Sequence, residues 1–191
     1  GLASLSMEEL NKIDDIVLTH AHWDHVACLP LILDTVFALR KKPIQLWAID
    51  GVLDILRKHI FNDYLWPNFT KINSPLINKP IVELNKLDPK KKYDIQNIEF
   101  SLLEANHGVP ACGFRLFKNN SSLAFTGDTG DCPGFWNNLK KDECLKAVIL
   151  ECSYPKRMND LAELTQHLSV KSVLKRLKDL NDNVDYFIIH L

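Results

Sequence analysis

Four metal-ligating side chains fall within six residues of each other in Thr19-His20-Ala21-His22-Trp23-Asp24-His25, directly behind a short apolar run, Asp15 to Thr19. That placement constrains the fold more than any other stretch. In extended chain the side-chain period is two, so His20 and His22 point the same way and their imidazoles can converge on one cation. Asp24 and His25 follow as the chain turns, and can face a second. With 7 histidines in 191 residues, such a cluster arises by chance in roughly one chain in a thousand. Four donors are too few for two cations. A fold built around this cluster must therefore deliver further nitrogen and oxygen donors at the ends of other strands.

Three residues meet that demand. His107 follows an expected strand, Ile98 to Ala105, and precedes the turn Gly108-Val109-Pro110. Asp128 ends the strand Leu123 to Thr126 in Phe125-Thr126-Gly127-Asp128-Thr129-Gly130, where flanking glycines permit close backbone approach. A carboxylate there could bridge two cations, one oxygen to each. His190 ends the last expected strand, Val184 to His190. A lone histidine is more often a core or surface residue, but three donors at strand ends of one sheet favour ligation.

The rest of the chain supplies such a sheet. Ser6-Met7-Glu8-Glu9 has capping-box spacing for a helix over Ser6 to Asn11. Helices are expected over Leu29 to Arg40, stopped by Pro43, and over Val52 to Leu65, with Val52, Leu53, Leu56, Ile60 and Tyr64 on the apolar face and Pro67 ending it. Ile44 to Ile49 reads as a strand between them. Residues 70 to 97 read as irregular, with short extended pieces around Ile81 to Leu84. Beyond them come strands Cys112 to Phe117 and Ala147 to Glu151, and helices Gly134 to Lys141 and Val170 to Leu180. Strands joined both by tight turns and by helices imply a mixed sheet covered by helices, an α/β class. The length argues for a single domain over residues 1–191.

The series H-x-H-x-D-H, then His107, then Asp128 in a Thr-Gly-Asp-Thr-Gly turn, then His190, resembles the metallo-β-lactamase superfamily of binuclear metallohydrolases. The resemblance covers nearly the whole chain. It implies an αββα sandwich lacking the N-terminal strands of its first sheet, with two divalent ions, zinc first and Mn2+ or Fe2+ as alternatives. It further implies that one ion takes His20, His22 and His107, the other takes Asp24, His25 and His190, and Asp128 bridges them. The chain begins at Gly1 and stops inside an apolar run without a closing turn, so it is expected to be a fragment truncated at both ends.

Within the superfamily, Leu150-Glu151-Cys152-Ser153-Tyr154-Pro155 followed by Leu161 to Ser169 is similar to the phosphodiesterase branch. Phe61-Asn62, Trp66-Pro67-Asn68-Phe69-Thr70 and Asp131 to Trp136 look most like class II 3′,5′-cyclic-nucleotide phosphodiesterases. Gln166 stands where that class commonly has Gly before the histidine. The resemblance implies hydrolysis of cAMP or cGMP to the 5′-monophosphate by metal-bound hydroxide. His167 is then the candidate general acid for the leaving 3′-oxyanion, Glu151 holds its ring in one tautomer, and Asp24 can accept a proton while serving as ligand.

Charge narrows the partner. Lys and Arg total 23 against 24 Asp and Glu, so no global field attracts nucleic acid or an acidic membrane. A small cyclic nucleotide is the expected substrate, and a homodimer is compatible with it. The alternatives are a tRNA 3′-processing endonuclease, which ought to show a basic, Gly-rich arm, and a metal-binding scaffold that catalyses nothing. No apolar run approaches the ~20 residues that cross a bilayer. Five scattered cysteines without a C-x-x-C pair point to reduced thiols in the cytoplasm. His59 is expected on a helix surface, Lys90-Lys91-Lys92 in a solvated turn, and Trp66, Phe69 and Trp136 in the core rather than stacked on a base.

Overall fold

Asp15–Val17 (β1), Ile44–Ile49 (β2) and Val82–Leu87 (β3) lie parallel in the order β1-β2-β3 in the computed structural model, which describes residues 4–178, 180 and 183–191. They belong to the first of two compact units, Gly1–Leu87 and Asp88–Leu191. Parallel neighbours need crossovers, and helices supply them. Met7–Asn11 (α1) precedes β1, with Ser6 Oγ accepting from the Glu9 N–H at 3.3 Å and the Glu9 carboxylate accepting from the Ser6 N–H at 2.8 Å, the expected capping box. Trp23–Val26 (α2) and Cys28–Val36 (α3) join β1 to β2, and Asp50–Ile55 (α4) follows β2. Ile44, Leu46 and Ala48 are wholly buried while Gln45, Trp47 and Ile49 are half-buried. That alternation turns one sheet face onto Leu29, Leu33, Val36, Val52, Leu53 and Leu56.

Two helices of the first unit are shorter than their sequence patterns suggest. α3 stops at Val36 rather than Arg40, and beyond its end the Arg40 side chain folds inward to bond Asp14 Oδ1 at 2.8 Å and the Lys42 carbonyl at 3.1 Å. α4 continues only through a wider, π-type turn, Leu56–Ile60. There Asn62 Oδ1 accepts from the N–H groups of Tyr64 and Leu65 at 3.0 and 2.8 Å, offering the backbone an alternative to the helix. Tyr64, expected on the apolar face, is 96% exposed as a result.

In the second unit a six-stranded sheet runs β4-β5-β6-β7-β8-β9. Lys92–Ile95 (β4), Ile98–Glu104 (β5), Cys112–Lys118 (β6) and Ser121–Phe125 (β7) are antiparallel neighbours, whereas Leu145–Glu151 (β8) and Asp185–Ile189 (β9) join in parallel. β4 and the full length of β3 lie in the segment that reads as irregular. The overlooked signal is the two-residue turn Gln96-Asn97, with φ of 56° and 61°, which matches the twist of a hairpin. Asn119-Asn120, at 51° and 58°, makes the equivalent turn between β6 and β7.

Pro133–Lys140 (α5) connects β7 to β8, and Asn159–Thr165 (α6) and Val170–Leu177 (α7) connect β8 to β9. These elements enclose Leu103, Phe135, Trp136, Leu139, Val148, Leu150 and Leu168. Gly113 lets β6 close onto β7, since a Cβ there would stand 2.8 Å from the Phe125 carbonyl oxygen. The mixed α/β class is the expected one. Trp136 and Phe69 are core residues, 1% and 4% exposed. All five cysteines are free, and no helix among the described residues is long and apolar enough to cross a membrane.

Candidate metal centre and its histidine–carboxylate network

Beyond β1 the chain stays paired, the Leu18 N–H donating to the Trp47 carbonyl at 2.9 Å, and this delivers His20 to the strand end fully buried. His22 occupies the N-cap of α2, so the chain turns sharply there and Asp24 and His25 enter from the first turn of the helix. The His20 ring centroid lies 4.8 Å from that of His22 and 4.1 Å from that of His25. Thr19 Oγ1 lies 3.0 Å from His20 Nδ1. Donor atoms of His20 and His22 come within 4.8 Å of each other, and so do those of Asp24 and His25. The first unit therefore gathers its four expected ligands as the strand period and the turn require.

The second unit gathers the remaining three. Donor atoms of His107 and Asp128 lie within 4.8 Å, as do those of Asp128 and His190. Asp128 is 3% exposed, and its Oδ2 lies 3.3 Å from His190 Nε2. Each of these rings is held by its other nitrogen. His107 Nδ1 faces the Gln166 carbonyl at 3.2 Å, and His190 Nδ1 faces Ser153 Oγ at 2.7 Å. Metal-binding histidines characteristically give their second ring N–H to such a partner, leaving the first free for the cation. Imidazole and carboxylate donors so grouped fit zinc or a similar divalent ion.

Glu151, at the end of β8, is fully buried. Its Oε1 accepts from the Thr129 N–H at 2.7 Å and from His167 Nδ1 at 2.9 Å. Its Oε2 accepts from the Leu168 N–H at 3.1 Å and from the Ser153 hydroxyl at 2.8 Å. Four donors fill the acceptor sites of one carboxylate. An ionised carboxylate only accepts, so His167 must carry its proton on Nδ1. The His167 ring stands between those of His107, at 5.0 Å, and His190, at 5.4 Å. Glu151, His167 and His190 can also present three donor atoms within 4.8 Å.

Sequence reasoning did not single out Ser153, Thr129 or the Gln166 backbone. Ser153 was legible in principle, because it lies two residues beyond Glu151 and an extended chain turns both side chains the same way. Gln166 closes α6 in the left-handed conformation, φ 55° and ψ 49°, a backbone geometry that glycine adopts without strain. His59 is exposed, as are Lys90, Lys91 and Lys92, and Lys92 pairs with Glu99 at 2.9 Å.

The chain belongs to the beta-lactamase superfamily, whose domain it matches over residues 3–190. Its architecture is the metallo-β-lactamase fold. It is 24% identical to 3′,5′-cyclic-nucleotide phosphodiesterase 1 of Saccharomyces cerevisiae over 91% of this chain and 52% of that protein. It is 26% identical to ribonuclease Z of Pyrococcus horikoshii over 76% of this chain and 48% of that protein. The crystal structure of unliganded yeast PDE1 shares the fold, with a TM-score of 0.84 and 21% identity over 99% of this chain and 61% of that one. The chain thus spans about half the length of the curated relatives it matches.

Proposed function

We propose that this chain forms the catalytic part of a binuclear phosphodiesterase that hydrolyses 3′,5′-cyclic nucleotides, cAMP or cGMP, to 5′-monophosphates. In this reading His20, His22 and His107 would hold one divalent cation and Asp24, His25 and His190 the other, with Asp128 serving both. Two such ions, zinc first among them, would supply positive charge to the phosphoryl oxygens and lower the pKa of water beside them. The observation that carries the reading is the Glu151–His167 pair: the carboxylate is buried at the end of β8, and the half-buried ring it holds lies beside those of His107 and His190.

The residues themselves do three things. Glu151 holds His167 through its Nδ1–H, so the ring can act as general acid only as the imidazolium, giving its Nε2 proton to the departing 3′-oxygen and returning to the neutral Nδ1–H form. The Asp24 side chain is 63% exposed, so its carboxylate can serve as ligand and take a proton from the nucleophile. Net charge of −1 suits a small substrate held by a local site. The five free cysteines fit a reducing cytoplasm. The similarity to ribonuclease Z favours a second reading, a tRNA 3′-processing type of phosphodiesterase.

A substrate panel separates these readings. Zinc-loaded protein should turn over cAMP or cGMP in preference to a 3′-extended pre-tRNA, a thioester and a β-lactam, and a chelator should abolish turnover. Preference for pre-tRNA would establish the second reading instead. Metal bound without turnover of any phosphodiester would leave a scaffold.

A further inference from the structure

Ser153 connects the two histidines that the proposed function uses differently. Its hydroxyl proton goes to Glu151 Oε2 at 2.8 Å, because a carboxylate has no proton to give. Ser153 Oγ can then only accept at His190 Nδ1, 2.7 Å away, so that nitrogen carries the proton and His190 Nε2 is the bare donor beside Asp128. The other oxygen of the same carboxylate holds His167. A continuous chain results: His190 Nδ1–H to Ser153, Ser153 O–H to Glu151, and His167 Nδ1–H to Glu151. Cys152 between them packs inward as a small buried residue, and strand period sets Glu151 and Ser153 on one side.

We propose that Ser153 is a positioning residue that sets the tautomer of His190 for metal binding and couples it, through Glu151, to the orientation of His167. This inference rests on the roles given above to His190 and His167. A hydroxyl with a single proton cannot serve both neighbours as donor, so satisfying both contacts puts the His190 proton on Nδ1. A serine present only to fill space would have no bearing on which nitrogen of His190 is protonated.

Two measurements test it. Long-range proton–nitrogen NMR of the metal-free wild type should show His190 protonated on Nδ1, and the Nε2–H tautomer would overturn the proposal whatever any variant does. Ser153→Ala should weaken zinc binding about 10–100-fold in chelator competition, and Ser153→Thr, which keeps the hydroxyl, should restore it. Wild-type affinity in Ser153→Ala would also overturn the proposal. Failure of the wild type itself to bind zinc would instead refute the metal reading beneath it, and the NMR result would still decide the hydrogen bond.

Discussion

Replacing Glu151 by glutamine keeps its shape and removes its charge, and the structure allows the cost to be worked out. The carboxylate accepts from Thr129 N–H and His167 on one oxygen, and from Leu168 N–H and the Ser153 hydroxyl on the other. A glutamine keeps only one oxygen. Its least costly orientation turns that oxygen to Thr129 and His167, while its amide N–H group donates to Ser153, whose hydroxyl can rotate. The Leu168 N–H then faces a donor. One buried, unsatisfied N–H costs about 1–3 kcal/mol, and replacing charged by neutral acceptance at the two remaining bonds costs roughly 1 kcal/mol more. A loss of about 2–4 kcal/mol should lower the Tm of the metal-free protein by roughly 5–15 °C. Thermal unfolding followed by circular dichroism, in the presence of chelator, measures this directly. A Tm within 1 °C of wild type would refute the view that Glu151 organises this part of the fold.

Other consequences follow from particular contacts. Gly113→Ala places a Cβ 2.8 Å from the Phe125 carbonyl oxygen and 3.0 Å from that of Thr126. It should destabilise by about 1–3 kcal/mol in urea titration. Burial opposes ionisation of Asp142, but the bonds from Arg115 and Ser122 outweigh it and hold its pKa below the ordinary 3.8. Its contribution is therefore present above that value and lost as pH falls through the lower, folded value. Asp142→Asn should flatten the acid limb of the stability profile, and an unchanged limb would count against the pair. Burial pushes the Cys112 thiol up to about 12. Exposed Cys28 should react with a disulfide reagent at pH 8 in the native protein, whereas Cys112 should react only after unfolding.

Much of the candidate site was legible because donor side chains at strand ends follow from two local rules, the period of two in extended chain and the turn that follows a parallel strand. Those rules place His20 with His22, and Asp128 behind β7. Elements governed by side-chain competition were less legible. Asn62 ended a helix whose apolar spacing continued to Tyr64, and Arg40, expected inside another, lies beyond its end with its side chain turned inward. The β4–β5 hairpin was hidden because Gln96-Asn97 is an unusual pair for a turn that glycine commonly fills. The network around Glu151 depends on Thr129, Ser153 and Leu168, brought together from different segments, and no spacing in the sequence announces that convergence.

The central claim is that seven side chains hold two divalent ions for phosphodiester hydrolysis. Metal content per chain, measured by plasma mass spectrometry after equilibration with zinc and removal of free metal, tests it most directly. The account predicts two equivalents in the wild type and at most one in Asp128→Asn, which loses the bridging carboxylate. Fewer than two in the wild type, or two equivalents retained by Asp128→Asn, would contradict it.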